Sequence, residues 1–191
     1  MTPFEGADAA RVRYLTVGEC KGLLNACDPA FRNLVRAALE TGARYGELVR
    51  LCVNDFNRDA GTIAIRLSKT GKPRHIVLTF DGVAFLKNIC SQRSGDEPML
   101  LKADGSTWRK SHQIRPITEA CRQAKIDPPI NFHALRHTWA SLATMNGVPL
   151  LIVAKNLGHS DTRMVEKHYG HLAPSYISDA IRAGAPRFGK A

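Results

Sequence analysis

The chain has 191 residues, 27 of them Lys or Arg against 17 Asp or Glu, for a formal charge of +10. Residues 1–95 hold 14 basic and 9 acidic side chains and residues 96–191 hold 13 and 8, so the excess is spread through a chain that is 44% hydrophobic. These numbers exclude a disordered basic tail and point to one folded basic domain with a polyanionic partner, nucleic acid first.

Further classes fall away on local features. The longest apolar run, Val148 to Ala154, is about seven residues, far short of the ~18 that read as a membrane span. The N-terminus carries Glu5 and Asp8 and has no apolar stretch, unlike a secretory signal. Cys20, Cys27, Cys52, Cys90 and Cys121 are odd in number and widely spaced. They predict neither a disulfide framework nor a structural zinc site, and a reducing cytoplasm is the expected location. Cys20 and Cys27 share a helical stripe with Leu23 and Leu24 and read as small buried hydrophobes.

In chain order, Thr16 to Cys27 is predicted helical, with Thr16 and Glu19 as a capping box. Phe31, Leu34, Val35, Ala38 and Leu39 set a second helical stripe that Gly42 ends, and a short helix is expected over residues 43–51. Residues 53–56, 62–66 and 74–78 read as three strands, with turns at Asn57–Gly61 and Ser68–Pro73. Helices are expected over Phe80–Gln92 and over Ser111–Lys125, where Pro116 is expected to distort the start. The last third predicts helices over His133–Met145, Pro149–Leu157, Thr162–Tyr169 and Pro174–Ala183, the first three stopped at Gly147, Gly158 and Gly170. In the His133 helix, Leu135, Trp139 and Leu142 are expected to form the buried stripe. The fold class is therefore mainly α with a small three-stranded antiparallel sheet. Residues 14–183 form one domain, after a 13-residue extension and before a short tail at 184–191.

Five segments carry the chemistry: Thr-Gly-Ala-Arg-Tyr-Gly-Glu-Leu at 41–48, Ser-Lys-Thr-Gly-Lys-Pro-Arg at 68–74, His-Ala-Leu-Arg-His-Thr at 133–138, Leu-Gly-His-Ser at 157–160 and His-Tyr-Gly-His-Leu at 168–172. In this order and spacing they resemble the tyrosine recombinase (phage integrase) family, over residues 14–182 or so. The resemblance implies the catalytic-domain fold of that family. It also implies a catalytic set of Arg44, Lys69, His133, Arg136, His159 and the nucleophile Tyr169, with Glu47 in support. His137 is expected to pack or hydrogen-bond beneath the site. The activity implied is cleavage and rejoining of duplex DNA through a covalent 3′-phosphotyrosyl link, with no cofactor and no metal.

The chemistry suits those residue types. Two arginine forks can hold the non-bridging oxygens of a phosphodiester and stabilise the charge that attack adds. The histidines at 133 and 159 can donate hydrogen bonds or take the tyrosine's proton. A phenol is protonated near neutral pH and needs both an acceptor and a positive field. Lys69 can protonate the leaving 5′ oxygen. Lys72 and Arg74 lie close enough to compete for that role, but are expected to touch DNA phosphates or solvent.

Rival readings have sequence counterparts. His133 and His137 have the i, i+4 spacing of zinc ligands, but Ala134 stands where a zincin needs Glu. Gly71-Lys72 suggests a phosphate loop, but Arg66 and Pro73 occupy positions that need Gly and Ser or Thr. A topoisomerase-like or resolvase activity on the same site, or a non-catalytic DNA-binding module of the same fold, are the functional alternatives. Ala134 departs from the Asp common at that position in relatives, and the family's upstream DNA-clamping domain is not expected within this chain. Other protomers on DNA are expected partners through the Pro174–Ala183 segment, whose Tyr176, Ile177, Ala180 and Ile181 share one stripe.

Overall fold

The computed structural model describes residues 12–66, 73–172 and 181–186. Lys69 and nearly all of the Ser68–Pro73 turn lie outside them, as does most of the Pro174–Ala183 segment, of which residues 181–183 are helical.

Eight helices and one sheet are described: α1 (Val17–Ala26), α2 (Pro29–Thr41), α3 (Tyr45–Leu48), β1 (Phe56–Asn57), β2 (Thr62–Ile65), β3 (Arg74–Val77), α4 (Phe80–Ile89), α5 (Ile114–Gln123), α6 (His133–Met145), α7 (Leu150–Leu157) and α8 (Arg163–Tyr169). Local chemistry sets most boundaries. Thr16 and Glu19 form the expected reciprocal capping box on α1. Asp28 caps α2, whose Pro29 needs no hydrogen-bond partner at the first position. Gly42 and Gly158 end α2 and α7 in the left-handed region, at φ 64° and 74°. At Gly42 glycine is required twice over, because a Cβ there would lie 2.8 Å from the Trp139 ring.

Several expectations are corrected. Residues 53–55 form a 3₁₀ turn, with only Phe56 and Asn57 in a strand. Val53 and Asp55 are both buried there, and the Asp55 carboxylate accepts the backbone N–H of Cys52. The helix expected over 43–51 is confined to Tyr45–Leu48, and those expected over 80–92 and 111–125 close to Phe80–Ile89 and Ile114–Gln123. Pro116 falls in the first turn of α5, where the missing N–H would have had no intrahelical partner, and the helix runs through it. Gly170 is right-handed (φ −57°), and the chain continues from α8 into a 3₁₀ turn, Gly170–Leu172. On α6, Leu135 is buried but Trp139 and Leu142 are only half-buried. The fully buried positions also include Arg136, Thr138, Ala140, Ser141 and Thr144. α6 is covered by α2 on one side and by α7 and α8 on another, which buries more than one stripe.

The sheet is antiparallel in the order β1-β2-β3, with Phe56 opposite Ile63, Ile63 opposite Ile76 and Ile65 opposite Arg74. Ile63, Ile65 and Ile76 face a large core shared with α1, α2, α4, α5 and the start of α6. Cys20, Cys27, Cys90 and Cys121 are buried free thiols, and burial pushes Cys20 and Cys27 up to about 11. A second, smaller core holds Ala140, Val153, Ala154, Leu157, Val165 and Tyr169, from α6, α7 and α8. The motif residues gather along the seam between the two cores. Among the described residues no helix is long and apolar enough to cross a membrane.

Candidate active site

Arg44 stands at the N-cap of α3, immediately after the tight Gly42 turn. Its backbone N–H donates to Glu47 Oε2 at 2.8 Å and its Nη1 to Glu47 Oε1 at 3.1 Å. Glu47 is 5% exposed. Burial acts to raise its pKa, but the Arg74 fork and Arg44 outweigh it and hold the carboxyl below its usual range.

Arg136 leaves the second turn of α6 and is 4% exposed. Its Nη1 donates to the Gly42 carbonyl at 2.9 Å and its Nη2 to the Leu157 carbonyl at 2.7 Å and to His159 Nε2 at 3.0 Å. The two carbonyls close the ends of α2 and α7, so a single guanidinium satisfies both helix termini. Three of the five guanidinium N–H groups are used in this way among the described residues, which leaves two there to offer an anion. Burial, then the nearby Arg44, lowers the Arg136 pKa to about 10, and Glu47 opposes the shift. The group remains a cation at neutral pH.

The hydrogen bond to Arg136 fixes the tautomer of His159. A guanidinium can only donate, so Nε2 accepts and the ring proton is on Nδ1. That Nδ1 is buried and meets no partner among the described residues. Burial, then Arg136 and Arg44, pushes the His159 pKa down. His133 opens α6 on the exposed side of the site, and the protein around its ring, with Arg136 and Arg44, pushes its pKa down as well. Both imidazoles are therefore neutral at pH 7.

Tyr169 closes α8 and is 3% exposed, a member of the smaller core. Its hydroxyl lies 2.5 Å from His137 Nδ1. Burial drives the phenol up to about 12, and Arg136 pulls it the other way. His137 packs edge-on to His133, with ring centroids 4.8 Å apart, and near His168 at 6.2 Å. Burial and these neighbouring rings bring His137 down to about 4, so it is neutral and able to accept a hydrogen bond from the phenol.

Of the residues expected at the site, Arg44, Glu47, His133, Arg136, His137, His159 and Tyr169 are brought together, and Lys69 is not among those described. The imidazole on the phenol is His137, rather than His133 or His159. Arg74 departs from the expectation of solvent or phosphate contact: its side chain is largely covered, forked onto Glu47 and bonded to the Asn156 carbonyl. The sequence held a signal for this. Period-two alternation puts Arg74 on the same sheet face as the buried Ile76. Asn156, whose amide donates to the Thr41 carbonyl at 3.1 Å, had no such signal.

The fold is shared with known proteins. The integrase of Escherichia phage P2 is 32% identical over 180 residues, which cover 92% of this chain and 48% of that protein. The crystal structure of XerA recombinase superposes with a TM-score of 0.73 at 25% identity, covering 93% of this chain and 67% of that one. The catalytic domain of bacteriophage HP1 integrase does so with a TM-score of 0.70 at 26% identity, covering 91% and 96%. The chain spans about half the length of the curated relatives it matches. The phage integrase family model matches residues 13–175, so the chain belongs to the phage integrase family.

Proposed function

We propose that this chain is the catalytic part of a site-specific tyrosine recombinase, and that residues 14–183 are its catalytic domain. The observation that carries the reading is convergence. Arg44, His133, Arg136, His159 and Tyr169 come from separated segments, yet Arg44 and Arg136 act on both imidazoles and Arg136 on the Tyr169 phenol, which among the described residues is the one buried tyrosine. The basic charge of the chain suits duplex DNA as substrate, and work on DNA in the cytoplasm suits its reduced cysteines.

Arg44 and the uncommitted N–H groups of Arg136 hold the non-bridging oxygens of the scissile phosphate. The Tyr169 oxygen attacks phosphorus as its proton passes to an imidazole, and His137 is the one already in hydrogen-bond contact. The bond from phosphorus to the 5′ oxygen breaks with its electron pair on that oxygen, which takes a proton from Lys69. The product is a 3′-phosphotyrosyl ester and a free 5′ hydroxyl. Rejoining reverses the step with a 5′ hydroxyl as nucleophile. The arginines act most strongly when charge has built up on phosphorus, which favours the transition state over the bound substrate.

Assembly with other protomers is part of the same reading. The Pro174–Ala183 segment follows Tyr169 closely and carries an apolar stripe. A groove of about 1020 Å³, lined in part by Val77, Trp139, Val148 and Ile152, offers an apolar surface to the matching segment of a neighbouring copy.

The test is a duplex carrying a nick beside the target phosphate, so that the released fragment diffuses away and the covalent adduct accumulates. The adduct should form without added metal, resist denaturation and map to Tyr169. Attachment at another residue, or no adduct on any integrated or excised site of the host element, overturns the reading.

A further inference from the structure

Arg74 lies at the junction of three segments of the site. Its Nη1 and Nη2 donate to Glu47 Oε1 and Oε2 at 2.9 and 2.8 Å, a two-point contact, and its Nε donates to the Asn156 carbonyl at 2.8 Å. The Arg74 side chain is 9% exposed and that of Glu47 is 4% exposed. A Cβ on Gly158 would come within 3.0 Å of the Arg74 side chain, so the backbone that ends α7 lies directly against it. One side chain of β3 therefore touches both α3, which carries Arg44 at its N-cap, and the end of α7, which leads into His159. A fork already occupied by a buried carboxylate has little left for a DNA phosphate.

We propose, on the basis of the recombinase reading above, that Arg74 is a positioning residue for strand cleavage: it locks Glu47 at two points, so that Glu47 fixes Arg44, and it ties the β3 hairpin and the His159 segment to the same point. The four bonds to Glu47 form one set. Oε1 is shared by Arg44 Nη1 and Arg74 Nη1, and Oε2 by the Arg44 backbone N–H and Arg74 Nη2. Only an ionised, acceptor-only carboxylate can fill all four places.

Among the described residues the charged and titratable groups around Glu47 are Arg44 and Arg50 from its own segment, Arg74 from β3, Arg136 from α6, and Asp55 and Arg66 across a small cavity. Burial pushes the carboxyl up, and the Arg74 fork is the largest influence against it. Without the fork Glu47 titrates at higher pH, Arg44 loses its anchor as the carboxyl protonates, and cleavage becomes acid-sensitive. Lysine keeps the charge but has no planar fork.

The experiment measures single-turnover adduct formation on the nicked duplex from about pH 5 to about pH 9. DNA affinity and the urea midpoint are followed in parallel, for the wild type, Arg74→Gln, Arg74→Lys and Arg74→Gln with Glu47→Gln. Arg74→Gln should slow cleavage about tenfold or more near neutrality with DNA affinity little changed, the signature of lost orientation and not of lost binding. Its rate should climb with pH along an acid limb that the wild type lacks, and adding Glu47→Gln should erase the limb. Arg74→Lys, the milder change, should fold and show a smaller limb. A folded Arg74 variant that cleaves at the wild-type rate at every pH overturns the proposal. So does one whose affinity falls in step with its rate, since that marks a phosphate clamp. A wild-type chain that forms no adduct removes the recombinase reading and this proposal together, whereas an active wild type with unaffected Arg74 variants removes only the latter.

Discussion

Replacing Arg136 by Ala should damage both stability and chemistry, by amounts that can be separated. In the folded protein the guanidinium joins the last carbonyl of α7, in the smaller core, to the Gly42 carbonyl at the end of α2, in the larger one. Truncation strands both carbonyls in a region where Arg136 itself is 4% exposed. Each stranded group costs about 1–3 kcal/mol, and removing a buried cation gives part of that back, so a net loss of about 2–4 kcal/mol is expected. Urea denaturation followed by circular dichroism measures this. Cleavage by the fraction still folded should fall about 100- to 1000-fold, the loss typical when one preorganised donor to a developing anion is removed. Arg136→Lys keeps the charge but cannot reach both carbonyls, and should lie between the two. An Ala variant as stable as the wild type would mean that the guanidinium does not join the cores. A destabilised variant whose folded fraction cleaves normally would confine Arg136 to a structural role.

Tyr169→Phe removes only the phenol oxygen and its bond to His137. The expected outcome is a stability loss of about 1 kcal/mol, unchanged DNA affinity and no covalent adduct; any adduct transfers the nucleophile to another residue. Gly42→Ala forces a side chain into the left-handed region against the Trp139 ring at 2.8 Å. It should cost about 2–4 kcal/mol and slow cleavage as the Gly42 carbonyl shifts under Arg136, and a neutral urea midpoint would contradict the packing at that turn. The native pKa values of His133, His137 and His159 are depressed, that of His137 from 6.5 to about 4. The unfolded chain therefore binds protons first as pH falls. Stability is full above about 6.5 and is lost progressively towards pH 4. His137→Gln should flatten that decline, measured by urea midpoints across the window, and an unchanged slope would place the titration elsewhere.

Much of the fold was legible where a local signal and the tertiary packing agree. The Thr16–Glu19 box, the Gly42 and Gly158 stops and both ends of α6 are short-range features, and they appear where the residues indicate. Signals failed where packing decides. Glycine permits a left-handed stop but does not impose one, and at Gly170 the chain continues right-handed. Val53 and Asp55 read as strand residues, and their burial either side of an exposed Asn54 mimics a strand, but the Asp55 carboxylate takes the Cys52 backbone N–H and closes a turn there. At the site, the family resemblance pointed to residues in five segments; those at 41–48, 133–138, 157–160 and 168–172 lie together, and Lys69 is outside the described residues. The hydrogen-bond partners were less accessible. Assigning the phenol to His137 needs the relative rotation of α6 and α8, and assigning Arg74 to Glu47 needs the packing of the sheet on α3.

The division into two cores has a kinetic consequence for Tyr169. Tyr169 belongs to the smaller core, which among the described residues is built from six buried residues on three helices beside the much larger cluster. Cooperative units with few apolar contacts open at lower free energy than the whole molecule. Amides in α7 and α8 should therefore exchange with deuterium well before those of α2, through excursions that leave the sheet and α1 to α5 intact. The phenol is 3% exposed, so under the proposed function the cleavage rate should be the intrinsic rate multiplied by the fraction of time that this small unit stands open. Substitutions at Val153 or Val165, both wholly buried in that core, should then change the observed rate by altering that fraction, and a cavity there should quicken cleavage while it weakens the fold.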